Sequence, residues 1–283
     1  MQPQATLRAP VSIKGLGLHT GAACQVRLLP APIDQGRVFC RTDLAGHPEV
    51  TAHLDSVVQT TFATTLAKGE ARVGTVEHLL AALHALSIDN LRIEIDGPEL
   101  PALDGSSQPW VEVLDQGGIA AQPAPQRPLR PTRHIEVRDG DRVMSIEPAE
   151  QLSLEVEVDY PHPQVGQQRL SFQVESQAFR AHLAWARTFG FASELETLRR
   201  QGLILGGSLD NAVVYDAEGL LNTEGLRAPD EIVRHKTLDI IGDLSLLGQP
   251  LQAHIVAVRP GHTMTIALLK ALTADPKNLQ STD

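Results

Sequence analysis

From Leu226 to Pro250 the chain reads LRAPDEIVRHKTLDIIGDLSLLGQP, and its apolar and polar positions separate at helical spacing. Val233, Thr237, Ile240, Leu244 and Leu247 form a mostly apolar stripe at 3.6 residues per turn. His235, Asp239 and Asp243 recur at i, i+4 and i+8 on roughly the opposite face, with Lys236 at its edge. The pattern predicts one helix. Pro229 suits its first position, Asp230 and Glu231 complement the positive end of its dipole, and Gly248 and Pro250 stop it. A second helix is predicted over Gly74–Asn90, with Thr75 as N-cap and Val76, Leu79, Leu80, Leu83 and Leu86 as its buried stripe. Glu77 and His78 fall in its first turn, pointing away from most of that stripe.

Elsewhere the period is two. LRIEIDG (91–97) and QLSLEVEVDY (151–160) alternate as strands, and HIEVRDGDRVMSIEPA (134–149) predicts a hairpin around Asp139–Gly140. QAHIVAVRPGHTMTIALLKAL (252–272) predicts two strands joined by a turn at Arg259–Thr263. Shorter helices are predicted over Pro109–Leu114 and Ser176–Arg187. Near the start, GLGLHTG lacks the glycine spacing and the long preceding strand of a dinucleotide-binding loop, so it reads as a hairpin turn and His19 as a turn residue. AAQPAPQRPLRP (120–131) is proline-rich and almost without apolar periodicity, which places a domain boundary between residues 1–122 and 130–283. Both halves follow a strands–helix–strand plan. The predicted fold is α+β: two similar domains, each a small β-sheet layered against helices, with a site between the helix layers.

Composition narrows the function. The 283 residues carry a net charge of −10 and a pI near 5.5, which argues against general nucleic-acid binding but leaves room for a local basic patch and an anionic small substrate. Two cysteines, Cys24 and Cys40, are too few for a disulfide framework and point to a reducing compartment. No apolar run reaches signal or transmembrane length, so a cytoplasmic protein without stable membrane insertion is expected. No heptad or interface helix stands out, and a monomer is expected.

The candidate chemistry lies in Glu77–His78, His235, Asp239 and His262, side chains at element ends or on one face, where they could converge. Two histidines and an aspartate suit a catalytic zinc site that keeps a position open for water. Glu77, beside a ligand, could serve as general base, and His262, on a short glycine turn, could approach a substrate while Asp243 orients its imidazolium. Each feature alone is weak, because Glu-His pairs, His-x3-Asp spacings and Pro-Gly-His turns also arise on ordinary solvated surfaces.

Six segments in fixed order carry more weight: TVEHLLAAL (75–83), LPALDGSS (100–107), ARTFGF (186–191), GGSLDNAVVYD (206–216), RHKTLDIIGDL (234–244) and GHT (261–263). Together they resemble the UDP-3-O-acyl-N-acetylglucosamine deacetylases, the metal-dependent hydrolases of lipid A synthesis in Gram-negative bacteria, from about Leu7 to about Leu269. The resemblance implies hydrolysis of the acetamide of UDP-3-O-(3-hydroxyacyl)-N-acetylglucosamine, releasing acetate and the free 2-amine. It implies that His78, His235 and Asp239 hold Zn2+, with Fe2+ accepted by the same ligands. It assigns Glu77 as the base that activates the attacking water. His262 would be the cationic acid that stabilises the oxyanion and protonates the leaving amine, supported by Asp243. Thr188 would donate to the oxyanion and Lys236 would meet polar or anionic parts of the substrate. Phe189 and Phe191, with the apolar side of Leu203–Gly207, resemble the insert that lines the acyl-chain passage, although plain core packing would use the same residues. Asp104–Gly105 reads as a structural turn.

Two details depart from or bound the resemblance. TTFATTL (60–66) has no cysteine where some relatives carry one near the metal, with little consequence expected because cysteine is not among the ligands. The polar tail Thr273–Asp283 is expected to fray and to leave no room for the dehydratase fused to some relatives. The same two-His, one-carboxylate set also describes non-haem iron oxygenases, but no cosubstrate-binding arginine stands out near it. A degenerate sugar-nucleotide or lipid-binding protein would have lost a ligand or the base, and all are retained. A hydrolase is the reading the sequence favours.

Overall fold

The alternating segments form two five-stranded sheets with the same plan in a computed structural model describing residues 2–282. In the first half the strands Val11–Leu16, Ala23–Pro30, Arg37–Arg41, Glu49–Thr51 and Leu91–Ile95 lie in the spatial order 1-2-5-3-4. In the second half Ile135–Asp139, Arg142–Pro148, Ser153–Tyr160, Gly166–Gln173 and Ala253–Val258 repeat that order. In both sheets the third and fifth strands pair in parallel and every other pairing is antiparallel. Alternation explains why one face of each sheet is dry: in Ala23–Pro30 the buried residues are Cys24, Val26 and Leu28, and in Ser153–Tyr160 they are Leu154, Val156 and Val158. The α+β expectation of two similar layered units holds. Among the described residues every strand pairing stays within residues 3–125 or within 129–281.

Helices cover the dry faces and meet each other. Helix α1 (Glu77–Ala85) packs on α2 (Gln108–Gly117) and, most extensively, on α5 (Glu231–Leu244) of the second half. Two short helices, α3 (Ser176–His182) and α4 (Ala192–Arg200), lie between these in the chain, and α6 (His262–Thr273) packs on the second sheet and on α5. Glycine permits the α1–α5 contact. A methyl group added at Gly242 would overlap the main-chain carbonyl oxygen of Glu77, so the two backbones touch where a side chain would hold them apart.

The fold corrects several sequence expectations. The segment after the Arg259–Gly261 turn is helix α6, not a strand: its β-branched residues suggested extension, but buried His262, Thr265, Ile266, Leu269 and Leu272 follow a helical period against the sheet. The long helix begins at Glu231 rather than Pro229, and after Leu244 it tightens into a 3₁₀ turn, Ser245–Leu247, before Gly248 takes φ +76°. Its polar residues His235, Asp239 and Asp243 are buried along with the apolar stripe. Helix α3 ends at His182, short of Arg187. Val76, not Thr75, occupies the cap position of α1.

The proline-rich stretch is partly a strand. Ile119–Pro125 pairs with Pro3–Leu7 in a two-stranded sheet, an edge position where proline's missing N–H is tolerated. The C-terminal tail is also ordered through its described part. A 3₁₀ turn, Pro276–Asn278, leads to Leu279–Ser281, which pairs with Leu129–Pro131. Asp283 lies outside the described residues.

The helix contact makes a stability prediction. Gly242→Ala, although favourable to an isolated helix, is expected to lower unfolding free energy by about 2 kcal/mol or more, because the added methyl overlaps main chain that cannot step aside. Chemical denaturation checks this; unchanged or higher stability would show that α1 and α5 can separate at no cost.

Candidate active site

The seam between α1 and α5 gathers the polar residues of both helices. His78, in the first turn of α1, and His235 and Asp239, one turn apart on α5, are 5%, 2% and 4% exposed, and their ligand atoms lie within 4.8 Å of one another. The Asp239 Oδ1 oxygen stands 3.3 Å from His235 Nε2 and 3.6 Å from His78 Nε2. The two imidazole rings meet edge to face at 5.0 Å. His235 Nδ1 lies 3.1 Å from the carbonyl oxygen of Ala186, which can only accept, so Nδ1 carries the proton and the Nε2 lone pair faces Asp239. Burial pushes the His235 imidazole down to about 3 and keeps it neutral.

Asp239 is ionised. Burial opposes its charge, but the Lys236 ammonium, with the His262 imidazolium adding to the pull, outweighs that and holds its carboxyl well below the usual range. Lys236 Nζ donates to Asp239 Oδ2 at 2.7 Å, whereas the buried Oδ1 has no hydrogen-bond partner among the described residues. An ionised carboxylate oxygen buried without a partner, facing a neutral imidazole lone pair, is costly by itself and is what a cation-binding donor set requires. The residues fit a divalent metal.

Beside this cluster lies a buried carboxylate–imidazole pair, Glu77 and His262. His262, the first residue of α6, places Nε2 3.8 Å from Glu77 Oε1 and 4.0 Å from Asp239 Oδ2. Its Nδ1 is 2.8 Å from Asp243 Oδ2. Burial alone would lower the His262 pKa, but Asp243 and Glu77 outweigh it and raise it to about 9, so the imidazole is cationic at neutral pH. Burial pushes the Glu77 carboxyl up, with His262 and His78 pulling it back. Thr64, fully buried, ties the pair together: its N–H donates to Glu77 Oε2 at 3.0 Å and its hydroxyl to Asp243 Oδ1 at 2.7 Å.

The remaining residues singled out in the sequence flank this centre. Phe189 stands edge-on to His235 at 6.2 Å, with Lys236 Nζ 5.5 Å over its ring. Phe191 joins an aromatic group with Tyr160, His162 and Tyr215. Both phenylalanines are half-buried rather than sealed in a core. Thr188 precedes them; its N–H donates to Gly105 O and its carbonyl accepts from Val213 N–H, both at 2.8 Å. Asp104–Gly105 is a structural turn as expected: Gly105 has φ +84°, and a side chain there would overlap the carbonyl of Asn211.

Several residues carry roles that the sequence did not disclose. Glu99 accepts from the His19 and Thr20 N–H groups and from the Thr20 and Thr75 hydroxyls, which binds the Gly17–Gly21 turn to the strained start of α1, where Thr75 has φ +55°. His19 sits on that turn, yet both its ring nitrogens are inaccessible and without a partner among the described residues, and burial lowers its pKa while Glu99 raises it and His262 lowers it. Thr64 and Glu99 belong to no ligand-like spacing; the only available signal was their proximity in sequence to the Glu77–His78 turn or to the LPALDGSS segment. Glu231 lies in the first turn of α5, as expected of a residue that complements the dipole, and is also fully buried against Arg187.

The sequence matches the family described as UDP-3-O-acyl N-acetylglycosamine deacetylase over residues 4–274. It is 45% identical to the UDP-3-O-acyl-N-acetylglucosamine deacetylase of Anaeromyxobacter dehalogenans over 273 residues, 96% of this chain and 88% of the relative. Proteins of the same name from Solibacter usitatus and Helicobacter hepaticus are 44% and 41% identical, covering 98% and 97% of this chain and 93% and 91% of theirs.

The His262–Asp243 contact predicts a titration. The folded pKa of about 9 lies above the ordinary 6.5, so the stability His262 contributes is complete below pH 6.5 and is lost as pH rises toward 9. In metal-free protein, Asp243→Asn is expected to lower the His262 midpoint followed by NMR and to flatten this alkaline loss of stability. A midpoint unmoved by the substitution would mean that Asp243 does not hold the charge on His262.

Proposed function

The chain belongs to the UDP-3-O-acyl N-acetylglycosamine deacetylase family, and from that premise we propose how its residues perform the deacetylation. The reaction is hydrolysis of the acetamide of UDP-3-O-(3-hydroxyacyl)-N-acetylglucosamine to acetate and the free 2-amine, a step of lipid A synthesis. The observation that carries the assignment is the convergence of two histidines and one aspartate oxygen, unpartnered among the described residues, beside the buried Glu77–His262 pair.

His78, His235 and Asp239 hold the metal, which we take to be zinc because neutral imidazoles and a carboxylate with an open fourth position are the usual zinc donors of hydrolases. When bound, such an ion lowers the pKa of water to about 7 and polarises the amide carbonyl. The protein supplies the rest. Glu77, held by the Thr64 N–H, accepts a proton from the attacking water. His262, cationic through Asp243, stabilises charge on the carbonyl oxygen and passes its proton to nitrogen, since an amine anion cannot leave. Thr188 offers its hydroxyl to the same oxygen. Lys236 balances the charge of Asp239 and faces polar groups of the substrate, while Phe189 and Phe191 give the acyl chain an apolar, aromatic wall. Residues 1–122 and 130–283 act as two domains that close the site between their helices. No helix of the described residues is long and apolar enough to cross a membrane. The two cysteines accord with a reducing, cytoplasmic compartment, and the chain is read as a monomer because its sequence offers no heptad or interface helix.

Acetate release and bound metal, measured together, test this. Wild type is expected to carry about one metal per chain and to release acetate, and His235→Ala to lose both. Glu77→Gln is expected to keep the metal and lose about 10²- to 10⁴-fold in kcat, and to abolish the acidic limb of a bell-shaped pH profile. Wild type that binds metal but releases no acetate sinks the deacetylase reading; a His235→Ala protein that keeps its metal sinks the ligand set.

A further inference from the structure

Arg187 and Glu231 lie outside the groups given roles above, yet they form an ion pair whose side chains are only 3% and 0% exposed. The Arg187 Nε and main-chain N–H both donate to Glu231 Oε1, at 2.9 and 3.0 Å, and Nη2 donates to Oε2 at 3.2 Å. Two more guanidinium donors are used: Nη1 reaches Glu224 Oε1 at 2.7 Å and Nη2 the carbonyl of Gly225 at 2.8 Å. Glu231 Oε2 accepts further from the Arg227 N–H at 2.7 Å. Such a pair is more than volume filling. Two buried charges are costly to desolvate and could be exchanged for apolar side chains of like size with little loss of stability.

Its position gives the pair a use that apolar side chains would not serve. Glu231 is the first residue of α5, one turn before His235 on the same helix. Arg187 stands between Ala186, whose carbonyl accepts from His235 Nδ1, and Thr188, whose main chain is pinned to Gly105 and Val213. A closed loop of contacts results: α5 through Glu231 to the Arg187 fork, through the 186–187 peptide to the Ala186 carbonyl, and through His235 back to α5. A planar guanidinium engaged on several sides fixes both distance and rotation, which a single hydrogen bond to a loop carbonyl would not.

We propose that Arg187 and Glu231 are positioning residues, whose buried fork locks the 186–188 backbone onto α5 and so sets the His235 imidazole and the Thr188 hydroxyl in register. The inference rests on the metal and oxyanion roles proposed for those two residues. A group misplaced by about 1 Å can cost two orders of magnitude in rate, so loss of the lock appears in kcat and in metal retention before it appears in substrate binding.

The test compares wild type, Arg187→Lys, Glu231→Gln and the double variant Arg187→Met/Glu231→Met. For each, thermal melting, kcat and KM for acetate release, and the rate of metal loss to a chelator are measured. Positioning predicts kcat down by about tenfold or more, KM within about threefold, and metal lost about tenfold faster in every variant that folds. The double variant discriminates, because it removes both charges together: with melting restored close to wild type, kcat and metal retention remain impaired. Recovery of kcat along with melting would show a merely structural pair and overturn the proposal. If the double variant does not fold, the two conservative single variants decide by the same readouts: kcat and metal loss within about twofold of wild type overturn it. Wild type that binds no metal or releases no acetate overturns the proposed function and this inference with it, whereas normal wild-type turnover with unaffected variants overturns this inference alone.

Discussion

The contact of Gly242 with the Glu77 main chain is the constraint on which the rest of the molecule turns. Two helices from different halves touch backbone to backbone, so the side chains on either side of the contact have nowhere to go but toward one another. Glu77 and His78 on one helix therefore face Asp239 and Asp243 on the other in a space from which water is largely excluded. Placing that many ionisable groups in a dry seam is unfavourable unless each finds a partner. His262 and Asp243 satisfy one another, Lys236 satisfies one oxygen of Asp239, and Thr64 donates to both Glu77 and Asp243. What is left over is Asp239 Oδ1 and the lone pair of His235, which with His78 form a cluster that could hold a metal ion.

The two sheets matter because they present those helices. Each has the same strand order and the same single parallel pairing, and each supports the helices that its half contributes to the seam. Neither half holds all of these residues. Glu77 and His78 come from the first, while His235, Asp239 and His262 come from the second. Thr64 reaches across to Asp243, and the Gly17–Gly21 turn is met by residues 205–206, whose N–H groups donate to the carbonyls of His19 and Leu18. Chemistry that needs a base and an acid on opposite sides of one carbonyl suits a site built from two opposed surfaces.

Around these groups lies a set of residues whose work is to hold others. Ala186 fixes the tautomer of His235 through a main-chain carbonyl, Glu99 gathers four donors at the start of α1, and Arg187 joins the 186–188 segment to α5. These contacts bridge residues distant in sequence, from 24 positions apart for Thr75 and Glu99 to 80 for His19 and Glu99. None creates a local periodicity.

That difference explains what could be read from the chain alone. The i, i+4, i+8 spacing of His235, Asp239 and Asp243 is a property of one helix, and the Glu77–His78 pair of one turn, so the sequence determined them, as it did the alternating strands and the α+β plan. Local pattern failed where tertiary packing overrode propensity. Residues 262–273 hold β-branched side chains but are helical because their buried positions repeat with the helical period against the second sheet. Residues 119–125 and 279–281 looked like linker and tail but find edge partners in Pro3–Leu7 and Leu129–Pro131. Only the tertiary structure decided that the polar face of α5 is buried, that Thr64 and Glu99 organise the acid–base pair and the turn beside it, and that Glu231 joins Arg187 instead of water. Burial and long-range hydrogen bonds depend on which surface the folded chain brings opposite, and a spacing rule sees only the residues on its own element.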